Sequence, residues 1–157
     1  MANKKTKKNT ILVLVDFSPP SEAAMAYAGE LATQIDAQLS VLHIVHDPGE
    51  SPGYYAPKKK GKKHIQRMED VASDMMNDFL LKVTKENPNF KALQKAEPVL
   101  ISGLPVTRMI QMIEKTKPYM VVMGNQGRSG LELLMMGSKA EQVVRLSPVP
   151  VTVVKSK

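Results

Sequence analysis

The chain has no cysteine and no tryptophan. Without cysteine there are no disulfides, no thiol nucleophile and no cysteine-ligated zinc or iron–sulfur centre. Aromatic residues are scarce, four Tyr and three Phe in 157 residues, so a nucleic-acid face of basic residues interleaved with aromatic ones has little to draw on. Long apolar runs are missing as well. The most apolar stretches, such as Ile11 to Val15, are far shorter than the roughly 20 residues of a bilayer span. The basic start, Met1 to Asn9, leads only into that short stretch and then Asp16. A secretory signal needs a longer apolar region and a small-residue cleavage site. These absences predict a cytoplasmic protein with no membrane segment.

What is present is a soluble-globular composition, 43% hydrophobic and 24% charged, with a formal net charge of +7. The excess charge sits in two places. Lys4, Lys5, Lys7 and Lys8 form one cluster, and Lys58, Lys59, Lys60, Lys62 and Lys63 form another. With those lysines set aside, acidic residues outnumber basic ones. The charge therefore belongs to a tail and a loop, which argues against specific nucleic-acid binding. It leaves the Lys58–Lys63 loop as a place for a weak anionic partner.

One domain is expected from the length: a basic flexible tail over 1–9 and a single domain over 10–157. Strand-like runs are predicted at Ile11–Val15, Leu39–Val45, Pro98–Ser102, Tyr119–Met123 and Val149–Val154. Helical patterns lie between them. Ser18 followed by Pro19 reads as an N-cap with proline in the first turn, and Ala24, Ala28, Leu31 and Ile35 give an apolar stripe. Residues 46–63 hold Pro48, Gly49, Pro52, Gly53, Pro57 and Gly61 with no periodicity, so a long mobile basic loop is expected. A second helix carries Ile65, Met68, Ala72, Met75, Met76, Phe79 and Val83. A third follows Gly103-Leu104-Pro105 with the stripe Val106, Met109, Ile110 and Ile113. A short one begins at Ser138, where Ser138 and Glu141 have the spacing of a capping box, and ends near Pro148.

The strands are almost continuously apolar, which suits a parallel sheet covered on both faces. Strand and helix alternate, which predicts an α/β fold: an open, doubly wound parallel sheet of five strands with helices on both faces. Ligands in such sheets sit beyond the carboxyl ends of the strands. Two polar loops fall there, Asp16 to Ser18 and Gly124 to Gly130. Glycines let the second curl its N–H groups around an anion, and a helix starting at Ser138 adds unpaired donors and a positive dipole end. A P-loop is absent, because neither Gly130 nor Gly137 is followed by lysine and then Ser or Thr. Histidines 43, 46 and 64 do not form a metal-ligand pattern. Asp16 has the position of a general base or magnesium ligand, but no second carboxylate lies near it in sequence.

Gly124, Gly127, Gly137 and Ser138 follow the spacing of a glycine, two residues, a glycine, nine residues, then glycine and serine. This resembles the nucleotide-binding signature of the universal stress protein family. Val13–Ser18, Ser40–Asp47, Gly103–Pro105, Val121–Arg128 and Pro148–Val154 resemble further family segments, in the same order. The resemblance implies strand order 3-2-1-4-5 and a stress-response or regulatory protein that binds ATP, or AMP or ADP, with or without Mg2+. It implies adenine near Asp16 and the backbone of Ile44, and ribose and phosphates along Met123, Gly124, Gly127, Arg128, Gly137 and Ser138. Lys139 stands where family members often have a small apolar residue, and either adds charge to the phosphates or faces solvent. Ala140 replaces a frequent hydroxyl. No catalytic set accompanies these residues, so binding without a chemical step is the first reading. A dimeric interaction module that binds no nucleotide, a slow ATP hydrolase, and an enzyme acting on an adenylated or phosphorylated small molecule are the alternatives. A homodimer through Val149–Val154 is expected, because the last strand of an open sheet leaves unpaired backbone groups, and the resemblance points the same way.

Overall fold

A computed structural model of the protein describes residues 9–46, 68–127 and 135–156. The mobile-loop expectation for 46–63, apart from His46, and most of the basic tail lie outside the described residues, as do Ile65 and Arg128. The elements run β1 (Thr10–Leu14), α1 (Pro19–Gln34), β2 (Gln38–Val45), α2 (Met68–Glu86), a 3-10 turn (Lys91–Lys95), β3 (Glu97–Ser102), α3 (Pro105–Thr116), β4 (Met120–Gly124), α4 (Ser138–Leu146) and β5 (Val151–Val154). The five strands form one all-parallel sheet in the order β3-β2-β1-β4-β5, as expected. Among the described residues no helix is long and apolar enough to cross a membrane.

Alternation along β1 divides the interior into two cores. Ile11, Val13 and Val15 face α1, α2 and the 3-10 turn, packing with Met25, Ala28, Met76, Phe79 and Leu93. Leu12 and Leu14 face the other way, where Leu42, Ile44, Ile113, Val121 and Val143 join them under α3 and α4. Period-two strands buried on both faces need apolar residues at every position, and this is why their sequences read as unbroken apolar runs.

Several local expectations are corrected. The buried face of α1 is Ala24, Met25, Ala28, Gly29 and Ala32, whereas Leu31 is half-buried and Ile35 is exposed. Ile35 is the C-terminal cap of the helix, one residue past its last turn. The small-residue face exists because Leu93 of the 3-10 turn fills the space over Gly29, where a Cβ would stand 2.5 Å from Leu93 Cδ2. The 3-10 turn itself was not foreseen, since a five-residue segment carries too little periodicity. Strand β4 lies one residue further along than expected, running Met120–Gly124 and ending on Gly124 rather than Met123. Strand β5 begins at Val151 rather than Val149, because Val149 is tied into a turn with the Ser147 hydroxyl.

Helices α1 and α2 are bridged on the surface by Lys82 and Glu22, whose Nζ and Oε1 lie 2.7 Å apart. The hydrogen bond to Glu22 raises the Lys82 ammonium above the ordinary lysine range; desolvation opposes the rise, and the nearby charges of Glu22 and Glu86 add to it.

Candidate functional site

At the carboxyl end of β1 the chain turns sharply. Phe17 adopts φ 64°, and the carboxylate of Asp16 organises the residues that follow. Its Oδ1 accepts hydrogen bonds from the Ser18 amide (3.1 Å), the Ser18 hydroxyl and the Ser21 hydroxyl (2.7 Å). Ser21 Oγ in turn accepts from the Asp16 amide at 3.0 Å. Ser18 caps α1 as the sequence implied, accepting from the Ser21 amide, with Pro19 in the first turn. Both serines are buried. An aspartate two residues before a serine is an Asx-turn signal, so part of this arrangement was legible in Asp16-Phe17-Ser18. The role of Ser21 was missed, because nothing local distinguishes a hydroxyl in the first helical turn.

The turn is braced from behind by His43 on β2. Its Nδ1 lies 2.9 Å from the Val15 carbonyl, and its ring stacks on Phe17 with centroids 4.2 Å apart. His43 is buried, and these contacts give it a structural role. Ile44, next along β2, buries its side chain in the α3–α4 core, so only its backbone is offered to the site. The Leu42 carbonyl accepts from Val15 N, and the Val45 carbonyl accepts from Gly103 N on the β3 side. By alternation Ile44 directs its amide and carbonyl towards β1, at the level where β1 has ended.

Met123 and Gly124 close β4. Met123 is buried in the α3–α4 core. Gly124 is required by packing, since a Cβ there would stand 2.8 Å from the Pro20 carbonyl carbon and 2.9 Å from its oxygen. Gly127 has a different reason. A Cβ on it would lie 3.1 Å from Asp16 Oδ2, so the glycine turn passes directly beside the acid of the β1 turn. Gly137 lies against the same turn: its amide donates to the Asn125 carbonyl at 2.8 Å. A Cβ on Gly137 would be 3.7 Å from Gly127 N. Gln126 Nε2 donates to the Met135 carbonyl at 3.2 Å. Asp16, Gly127, Gly137 and Ser138, separated by up to 122 positions in sequence, are therefore neighbours at the carboxyl edge of β1 and β4.

The capping box is not formed. Gly137 is the N-cap of α4, with no side-chain cap, and Ser138 is the first helical residue. Glu141 instead pairs with Arg145 one turn on, at 2.8 Å. The Ser138 hydroxyl and the Lys139 side chain stand exposed at the positive end of the helix, which is the environment an anion requires. A further polar group went unremarked in the sequence. Asn125 Oδ1 is buried without a hydrogen-bond partner, while its amide donates to Val154 O at the end of β5.

Fold and site together define an open α/β sheet with a polar, glycine-rich edge outside its strand ends. The chain matches the model of the universal stress protein family over residues 8–155 and belongs to that family. It is 28% identical over 145 residues to a universal stress protein of Methanocaldococcus jannaschii, covering 92% of this chain and 81% of the relative. Its fold is shared with the crystal structure of a universal stress protein in complex with cAMP, at a TM-score of 0.67 and 22% identity, over 95% of this chain and 98% of that one. It is shared too with a universal stress protein from Archaeoglobus fulgidus in complex with dAMP, at a TM-score of 0.61 and 20% identity, over 94% and 98% of the two chains. Adenine nucleotide binding thus occurs in this fold.

Proposed function

We propose that the protein binds an adenine nucleotide, ATP or its di- or monophosphate, at the strand-end edge formed by Asp16 and the glycine turn, and acts as a stress-response regulatory module without a chemical step of its own. The observation that carries this reading is the adjacency of Asp16, Gly127, Gly137 and the uncapped start of α4. An acid able to accept from a base or sugar, a turn whose glycine leaves room for a close backbone approach, and a helix N-terminus suited to phosphate meet at one edge of the sheet. Met123, Gly124 and the Ile44 backbone would form its floor. Arg128, Ser138 and Lys139 would meet the phosphates, and Mg2+ would arrive with a triphosphate. Similar proteins with cAMP and dAMP bound support the ligand class.

Binding without turnover is preferred because Glu22, the acid nearest Asp16 along the chain, is engaged with Lys82, and Asp16 Oδ1 is occupied by donors of its own turn. This reading places the protein in the cytoplasm. The working unit in this reading is a homodimer joined through β5. The even-numbered residues Pro150 and Val154 turn their carbonyls to β4, so Val151 and Val153 direct theirs to the open edge. Mass spectrometry of small molecules released from purified, denatured protein, with calorimetric titration of ATP, AMP and cAMP, tests the function. Released adenine nucleotide or saturable heat supports it. Neither, in folded protein, overturns it.

A further inference from the structure

Sulfur redox chemistry in this chain resides only in methionine, since it has 11 Met and no Cys. Among the described residues nearly all of these thioethers are buried or half-buried, with Met25, Met76 and Met123 inside the cores. Met135 and Met136 differ. They are adjacent, 67% and 41% exposed, and immediately precede Gly137 at the closure of the glycine turn. The Met135 carbonyl is held by Gln126 Nε2, and the amide following Met136 is held by the Asn125 carbonyl.

Two large apolar side chains left this exposed beside the polar strand-end edge gain little from packing, and an accessible thioether is the side chain most open to oxidation after a thiolate. We propose that Met135 and Met136 form an oxidant-sensitive site, at which oxidants of the peroxide class convert an exposed thioether to the sulfoxide and so weaken nucleotide binding at the adjoining turn. The effect on binding rests on the functional reading above; the oxidation does not. In the reaction the sulfur lone pair attacks one peroxide oxygen, the O–O bond breaks and an S–O bond forms. The transferred hydroxyl gives its proton to the departing hydroxide, which leaves as water. The sulfur loses two electrons and the peroxide gains them. Methionine sulfoxide reductases reverse the change, which makes the site a switch rather than a lesion. The consequence follows from hydrogen bonding. A sulfoxide oxygen is a strong acceptor placed on the residue whose carbonyl Gln126 Nε2 holds, or on its neighbour, and it competes with that carbonyl for the amide. Loss of that bond loosens the closure that keeps Gly137 against the Gly127 turn.

The test uses the full chain and hydrogen peroxide. Trypsin releases Ser129–Lys139, which holds both methionines and no others, so its oxidation is read directly by mass. This peptide is expected to oxidise about tenfold faster than those carrying Met25, Met76 and Met123. ATP affinity is expected to fall about tenfold in the oxidised protein, to recover after reductase treatment, and to be insensitive to peroxide in the Met135→Leu/Met136→Leu variant. Equal oxidation rates across the peptides overturn the proposal, as does an equal loss of affinity in the double variant. If unoxidised protein binds no adenine nucleotide, the functional reading fails on its own. Amide exchange at Asn125–Gly127 and Gly137 then decides: faster exchange in the sulfoxide form supports the switch, and unchanged exchange overturns it.

Discussion

Glycines 124, 127 and 137 look alike in the sequence and differ in what the structure asks of them. At Gly124 a Cβ meets the backbone of Pro20 at under 3.0 Å, and backbone cannot move aside as a side chain can. Gly124→Ala is expected to cost about 1–3 kcal/mol of stability, measured by urea denaturation, and therefore says little about binding. At Gly127 the neighbour is a carboxylate oxygen at 3.1 Å, which can adjust. Gly127→Val should stay folded, melting within a few degrees of the parent, while ATP affinity falls by about tenfold or more. Calorimetry that finds unchanged affinity in a folded Gly127→Val protein would remove the site from this edge of the sheet. Asp16 has a second duty that its position alone did not reveal. Asp16→Ala leaves the buried hydroxyls of Ser18 and Ser21 without their common acceptor. About 1–3 kcal/mol should be lost even in the absence of nucleotide, and a chemical melt of the ligand-free protein measures it.

Among the elements, α1 is the one every part of the site depends on: its cap carries the Asp16 turn, its first residues press on Gly124, and its surface reaches α2 through Glu22 and Lys82. Lys82 is raised in the folded protein. A raised base contributes stability that is present in full below the ordinary lysine value of about 10.4 and disappears as pH climbs through the folded value. Lys82→Met should therefore melt slightly below the parent at neutral pH. The two curves should converge in strong alkali, and also in high salt, because the pair is exposed and screened. A difference that persists at high pH would mean that lost packing of the lysine stem, not charge, is responsible. Strand β5 gives the other prediction at this scale. Its four residues are half-buried along their whole length, with apolar Val153 near the open edge. Val153→Lys should shift a dimer towards monomer, read by sedimentation velocity, with thermal melting as the check on folding.

For the whole molecule, the open question is assembly. A protein of 17.3 kDa whose sheet ends in a valine-rich strand exposes an edge that proteins ordinarily pair, cover or charge. Sedimentation equilibrium of the parent protein is expected to give twice that mass at micromolar concentration. A value near 17 kDa would refute the dimer and leave Lys155 as a charged gatekeeper at the end of an isolated edge.

The sequence by itself determined the α/β class, the strand order through its family resemblance, the cap at Ser18 and the glycine spacing. Those signals are local or periodic: each strand shows its own apolar run, and each turn its own proline or glycine. Helix α1 marks where such reading stops. Spacing carries its stripe through Leu31, which packs at the core's margin, to Ile35, which is exposed; the buried side instead includes Gly29 and Ala32, because a distant leucine in a short 3-10 turn occupies that face. Only the tertiary structure decided that Asn125 buries a side-chain oxygen without a hydrogen-bond partner. It alone brought Asp16 to Gly127 and Gly137. Those outcomes depend on which residues meet across the sheet. A chain's local periodicity carries its faces and its turns, but contacts between residues a hundred positions apart exist only once β1 and β4 lie side by side.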